Sequence, residues 1–248
     1  MSIREIVRRF VVGLWGNDGL QSGAGRDHKK YLSDLHALTW EEHYHRRECG
    51  KDTGKAFLPE LTDLDSDFAE ALSGLGIRKG RMLEIGSGSG FQAIQYARMG
   101  FAVTATEVSG IAIRQASALP SKLGVSIEFV QDNILYTKVD GHFDIVADRG
   151  CYTVLPQDCL GLYAANVARL LRPGGCLLLT LDGRTKDRME ALHSLFDVVS
   201  STDTHYQVGE PDADESLFPA LFVTLRHRNS GGRGEGNMHA SGAGGLPG

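Results

Sequence analysis

Apolar and polar positions follow two periods along this chain, and the change of period marks its organisation. Ile3, Ile6, Val7, Phe10, Val11 and Leu14 recur at helical spacing, with Arg4, Glu5, Arg8 and Arg9 on the other face. That predicts an amphipathic helix packed on its own domain, with a lid over a ligand or a partner surface as the sharper alternatives. A Gly-rich polar stretch, "GNDGLQSGAGRD", reads as a loop or hinge, and a second helix is expected over roughly 29–48.

From residue 81 short apolar runs begin to alternate with helical segments. "RMLEIG", "FAVTATE", "VSIEFVQ", "FDIVADRG" and "CLLLTLDG" read as strands. "FQAIQYARMG", "SGIAIRQASAL", "LGLYAANVARLL" and "RMEALHSLF" read as helices, with Gly100, Pro120 and "RPGG" as stop signals. Two late strands, "DVVSSTDT" and "LFPALFVTLRH", are joined by a polar loop with no room for a packed crossover helix. The alternation predicts an α/β fold: a mostly parallel sheet with helices on both faces and an antiparallel pair at its edge. Residues 1–60 are expected to form an N-terminal helical extension or lid over the site, 61–228 the core domain, and 229–248 a disordered Gly-rich tail too poor in apolar mass to fold.

Composition narrows the classes. A 248-residue chain with 42% hydrophobic residues can build a full core as one α/β domain with extensions. The net charge of −5 and the lack of a strongly basic stretch argue against a nucleic-acid partner. No apolar run is long enough to span a membrane. The charges interleaved through the first 15 residues do not suit a signal peptide. Four cysteines without a C-x-x-C pair point to a reducing, cytosolic compartment. Oligomeric state has no signature in the chain.

The candidate chemistry lies at the strand ends. "LEIGSGSGFQA" places Gly86, Gly88 and Gly90 between a strand and a helix, where glycine permits a sharp turn and close backbone approach. Phe91 stands where a dinucleotide fingerprint requires its third glycine, which weakens a pyrophosphate reading. Glu84, just ahead of the loop, suits a ligand carrying an ammonium group. Glu107 ends the second strand, at the distance where an acid can accept both ribose hydroxyls. Asp132 and Asn133 follow the third strand and can reach an adenine amino group and ring nitrogen. With Asp148 after the fourth, four carboxylates share one rim, where open α/β sheets bind ligands.

In this order of motifs the sequence resembles the class I S-adenosylmethionine-dependent methyltransferases. "LEIGSGSG", "TATEVS", "VQDN", "FDIVADRG" and "LLRPGG" look like their five successive motifs, over roughly residues 60–228. The resemblance implies a seven-stranded Rossmann-like sheet with the last strand reversed, and S-adenosylmethionine as cofactor. It implies that Gly86 and Gly88 lie against the methionine part and that Glu107 binds the ribose. Asp132 would face the adenine, and Asp148 the methionine amino group or the transferred methyl; Glu84, Ser87, Gly90, Val108, Asn133 and Ile134 complete the expected cofactor site. A finer resemblance, to the thiopurine, thiol and tellurite methyltransferases, rests on Trp40, Tyr44 and Asp148-Arg149-Gly150. Lys51 stands where that group often has a tryptophan.

Methyl transfer from a sulfonium is an in-line displacement that depends on alignment. A thiol needs little help to ionise, whereas a hydroxyl or protonated amine needs a base. Asp148, His43, His45, Tyr152 and His205 are candidates for that base. Trp40, Tyr44 and Phe91 are candidates for cation–π contact with the sulfonium. Asp148 and Arg149 are assigned catalytic roles, and Trp40 a place at the cofactor. Arg149, His43, Tyr44 and Tyr152 are placed at the acceptor. For Arg149 a salt bridge that holds its loop is an equal alternative. Cys151 reads as a small buried hydrophobe, since no enzyme nucleophile is needed. Neither the cysteines nor His43, His45 and Cys49 have metal-site spacing, and no metal is expected.

These readings predict methyl transfer to a small-molecule acceptor, favoured a thiol or other soft sulfur nucleophile. The alternatives are an O- or N-methyltransferase, a nicotinamide-dependent oxidoreductase, and a module that holds the cofactor without catalysis.

Overall fold

The computed structural model of the protein describes residues 25–49, 65–118, 120–182, 188–208 and 216–228. The helix read at 3–14, the boundary near residue 60, Lys51 and the tail from Asn229 lie outside the described residues.

Helix α1 (Gly25–Glu48) starts about a turn earlier than its sequence signal. Then come α2 (Ser66–Gly74), β1 (Gly80–Ile85), α3 (Phe91–Arg98), β2 (Phe101–Glu107), α4 (Gly110–Ser117), β3 (Ile127–Gln131) and β4 (Phe143–Asp148). A single helical turn at Cys151–Val154 leads to α5 (Leu160–Leu170), β5 (Leu171–Asp182), β6 (Phe196–Val208) and β7 (Ser216–His227). The strands form one seven-stranded sheet in the order β3-β2-β1-β4-β5-β7-β6. Pairing is parallel from β3 to β5, and β7 runs antiparallel between β5 and β6. This is the Rossmann-like sheet, with its last strand reversed, that the motif order implies.

Alternation along the central strands builds two cores. Met82, Ile145 and Leu178 face one layer with Phe68, Leu72 and Tyr96. Leu83, Val146 and Leu177 face the other with Tyr163, Val167 and Leu192. Strand order reverses between β1 and β4, which opens a crevice above their C-terminal ends. Register places Ile85 beside both Thr106 and Asp148, and Glu107 beside Gln131, so the expected rim is one continuous edge.

Three local readings are corrected. "RMEALHSLF" yields only one α-helical turn, Glu190–His193, because Phe196 is buried as the first residue of β6. Strand β6 runs to Val208, four residues past its predicted end, because backbone pairing with β7 continues to Val208↔Ser216 whatever the side-chain polarity. β5 begins at Leu171, and its pairing with β4 is interrupted between Leu171 and Cys176, where "RPGG" was expected to be loop.

Candidate active site

The glycine loop is held from several sides. Ser87 N–H donates to the Thr106 carbonyl at 2.9 Å, and Gly88 N–H donates to Glu107 Oε2 at 3.1 Å. Gly88 has φ 54°, and a Cβ there would lie 2.8 Å from the Tyr44 hydroxyl. Gly86 has φ 68°, and a Cβ there would lie 3.0 Å from Cys151 Cβ. Positive φ and contact on both flanks therefore require glycine.

The rim acids differ in environment. Glu84 is buried, and its Oε2 has no hydrogen-bond partner. Burial pushes its pKa up to about 8; the Arg149 guanidinium opposes the shift, while the charges of Glu107 and Asp148 add to it. Glu107 accepts from Val108 N–H at 2.8 Å and Ser109 N–H at 3.1 Å through Oε1. Burial raises its pKa, these donors and Gly88 N–H lower it, and the Glu41 charge raises it further. Asp132 Oδ1 accepts from Lys138 N–H at 2.9 Å, and its Oδ2 is buried without a partner. Ser87 Oγ is likewise buried and unpartnered.

A buried acceptor without a donor is costly. S-adenosylmethionine carries a donor for each carboxylate: an ammonium for Glu84 and an adenine amino group for Asp132. The residues fit the cofactor by this criterion.

Asn133 is placed differently from its expected role. Its Oδ1 accepts from Leu135 N–H at 3.1 Å, and its Nδ2 donates to Ser33 Oγ at 2.9 Å. The side chain caps a turn and tethers α1, so it does not face an adenine ring nitrogen. Ile134 is buried at the start of that turn. Val108 contributes its N–H to Glu107 and its carbonyl to Gln131 Nε2, at 3.1 Å.

Asp148 is fully buried and is not poised as a base. Oδ1 accepts from Gly150 N–H (2.9 Å) and Cys151 N–H (2.7 Å), and Oδ2 from Tyr152 N–H (3.0 Å) and Tyr163 O–H (2.7 Å). A carboxylate offers about four lone-pair sites, and these donors fill them. Burial pushes its pKa up to about 6 against the pull of the four donors. Arg149 Nε bonds Asp65 Oδ2 at 2.9 Å, while Asp65 Oδ1 caps α2 through Asp67 N–H. The guanidinium thus ties the loop after β4 to the start of α2, the loop-holding alternative, and its charge is felt at Glu84. Tyr152 is completely buried, its ring tilted against that of Tyr163 at 4.8 Å between centroids, and it donates to the Arg188 carbonyl at 2.7 Å. It belongs to the core, not to an acceptor surface.

Cys151 packs against the glycine loop. Burial pushes its thiol pKa well up, and the charges of Asp148 and Glu107 push it further, so the thiolate is suppressed. Cys151→Ser is expected to leave methyl transfer within about twofold of wild type and to cost about 1 kcal/mol or less, since it adds only a small polar group. Initial rates with labelled cofactor and urea unfolding check both.

Helix α1 lies across the rim. Tyr44 is buried against Ile111 and Ala112, with Trp40 packed alongside. Trp40 Nε1 donates to His36 Nε2 at 3.1 Å, and burial lowers the His36 pKa to about 4. The His43 ring meets Trp40 and Tyr44 edge-on, at 5.8 and 5.3 Å. Tyr44 is therefore a wall of the glycine loop. His45 is exposed, its Nε2 3.8 Å from Cys49 Sγ. His205 lies on β6, three strands from β4 or roughly 14 Å, outside this cluster.

Three polar residues at the rim had no sequence assignment. Glu41 Oε2 accepts from Ser109 Oγ at 2.6 Å, Ser33 accepts from Asn133, and Asp65 pairs with Arg149. Ser33, Trp40, Glu41 and Tyr44 share one helical face, a spacing that could have suggested a docked stripe. Among the described residues no group of three His, Cys, Asp or Glu side chains is placed to hold a metal, and no helix is long and apolar enough to cross a membrane.

Residues 82–175 match the family described as "Methyltransferase domain". A ribosomal protein L11 methyltransferase from Pelotomaculum thermopropionicum is 32% identical over 40% of this chain and 31% of its own length. A ubiquinone biosynthesis O-methyltransferase from Rickettsia conorii is 29% identical over 55% of this chain and 46% of its own. The chain thus spans less than half the length of these curated relatives. A structure described under conversion of a disulfide bond into a thioacetal group during echinomycin biosynthesis superposes with a TM-score of 0.66. It has 21% identity, over 76% of this chain and 93% of that one. The family match runs from β1 into β5, the part of the sheet that carries the glycine loop and the rim acids.

Proposed function

We propose that the protein transfers the methyl group of S-adenosylmethionine to a small-molecule acceptor whose attacking atom is a soft sulfur. The observation that carries this reading is the state of Asp148. The acid nearest the expected methyl position has its four lone-pair sites filled by the donors of its own loop. It is not free to take a proton, so the acceptor is one that reaches its nucleophilic form without it. A thiol, with an ordinary pKa near 8.5, does so near neutral pH.

When bound, the cofactor supplies an electrophilic methyl on a sulfonium. The chain's own residues bind and orient: Glu84 takes the ammonium, Glu107 the ribose hydroxyls, Asp132 the adenine amino group, and Trp40 and Tyr44 cover the loop. Alignment then supplies much of the rate. The finer resemblance through Trp40, Tyr44 and Asp148-Arg149-Gly150 points the same way. The fold serves sulfur chemistry elsewhere, in the neighbour that converts a disulfide to a thioacetal.

An oxygen or nitrogen acceptor is the second reading. It is favoured by His43, a partly buried imidazole beside Tyr44, as the base, and by the ubiquinone O-methyltransferase relatives. A screen of thiols, phenols and amines with methyl-labelled cofactor separates the two. Turnover is expected with thiols; methylation of phenols or amines alone would transfer the assignment to the second reading.

A further inference from the structure

We infer that Glu41 is a positioning residue for the cofactor ribose, acting through Ser109 on Glu107. The inference rests on the reading that Glu107 accepts the ribose hydroxyls.

Ser109 is fully buried and lies between the two acids. Its hydroxyl has one proton, which goes to Glu41 Oε2 at 2.6 Å, the short distance of a charge-assisted bond. Its oxygen accepts from Ala112 N–H at 3.2 Å and so caps α4. Its backbone N–H donates to Glu107 Oε1 at 3.1 Å, beside Val108 N–H at 2.8 Å. Gly88 N–H holds the other oxygen at 3.1 Å. Glu41 thus fixes the rotamer of the residue whose backbone aims the Glu107 carboxylate. It also seats α1 on the start of α4, where Ile111 N–H lies 3.5 Å from the same oxygen. The two acids are near enough for the Glu41 charge to raise the Glu107 pKa. The second carboxylate therefore comes at an electrostatic cost, which an apolar contact would not carry. That cost is consistent with a role in alignment.

The test measures binding of S-adenosylhomocysteine and of its 2′,3′-dideoxyribose analogue by calorimetry, to the wild type and to Glu41→Ala, Glu41→Gln and Ser109→Ala. The wild type is expected to prefer the ribose ligand. Glu41→Ala is expected to weaken that ligand about tenfold and to leave the dideoxy analogue within about twofold, because a lost positioning effect shows only where a hydroxyl is present. Glu41→Gln, which keeps an acceptor for Ser109, should recover most of the loss. Ser109→Ala should reproduce the ribose-selective loss, and combining it with Glu41→Ala should add little. Equal weakening of both ligands would mean a merely structural role and overturn the inference, as would no weakening of either. A wild type that binds neither ligand would overturn the cofactor reading itself, and one that binds both alike would overturn the assignment of Glu107. Melting temperatures establish that each variant is folded.

Discussion

Glutamine in place of Glu84 is expected to weaken S-adenosylhomocysteine binding by about tenfold to a hundredfold, and to make the ligand-free protein more stable at pH 8. The first effect follows from geometry. Glu84 Oε2 is buried at the end of β1 with no donor to satisfy it, and the ligand's ammonium would be that donor. Hydrogen bonds to charged groups contribute about 1.5–3 kcal/mol, and each 1.4 kcal/mol is about tenfold in affinity.

The second effect follows from linkage. The folded-state pKa of Glu84 is raised to about 8 from an ordinary 4.5. The folded protein therefore holds this proton more tightly than the unfolded chain, and stability falls as pH rises from about 4.5 through about 8. The size is a few kcal/mol, since each tenfold difference in proton affinity is worth about 1.4 kcal/mol. Asp148, raised to about 6, contributes in the same direction at lower pH, but in both proteins alike. Thermal melts should give the wild type a melting temperature that declines between pH 6 and 9, and Glu84→Gln a flatter line that lies above it at pH 8. Saturating S-adenosylhomocysteine should flatten the wild-type line as well. Parallel lines would refute the account.

The same residues show what a chain can reveal of its site. The placement of the glycine loop, Glu84, Glu107 and Asp132 on one rim was legible because each sits at a fixed offset from a strand end, and parallel pairing aligns those offsets. The sheet was legible because short apolar runs alternate with helical segments from residue 81 onward. Glu41 was not legible: its partner Ser109 is far along the sequence, and a surface-looking acid on a polar helix carries no mark of that contact. For Arg149 a loop-holding salt bridge was an expected alternative, but nothing in the sequence marked Asp65 as its partner. The roles expected of Tyr152 and Asn133 failed for a different reason. Both lie next to strand ends, but rotamer and burial turn Tyr152 into the core and Asn133 onto a turn and Ser33. Proximity in sequence fixes which end of the sheet a residue occupies, not which way it points.

Asp148 is where that distinction has the largest consequence. Read from the chain it lay near the methionine amino group or the transferred methyl; in the fold it is the acceptor that ties residues 150–152 and Tyr163 together. Asp148→Ala leaves four donors without an acceptor, two buried and two half-buried, at about 1–3 kcal/mol for each buried one left unsatisfied. A natural domain has about 5–15 kcal/mol in all. Asp148→Ala is therefore expected to yield little folded protein. Asp148→Asn is milder. Its remaining oxygen can serve Gly150 and Cys151, and the Tyr163 hydroxyl can rotate to accept from the new amide. Tyr152 N–H, however, then faces an NH2 group. A loss of about 2–3 kcal/mol, or roughly 4–12 °C in melting temperature for a chain of this size, is expected. Turnover per folded molecule separates anchor from base. An anchor predicts that folded Asp148→Asn keeps at least about a tenth of wild-type kcat on a thiol, with an unchanged pH profile. A general base predicts a loss of about a hundredfold or more and disappearance of the acidic limb of the profile. Chemical denaturation and single-turnover rates on the same preparation decide between them, and the filled lone-pair sites of Asp148 favour the anchor.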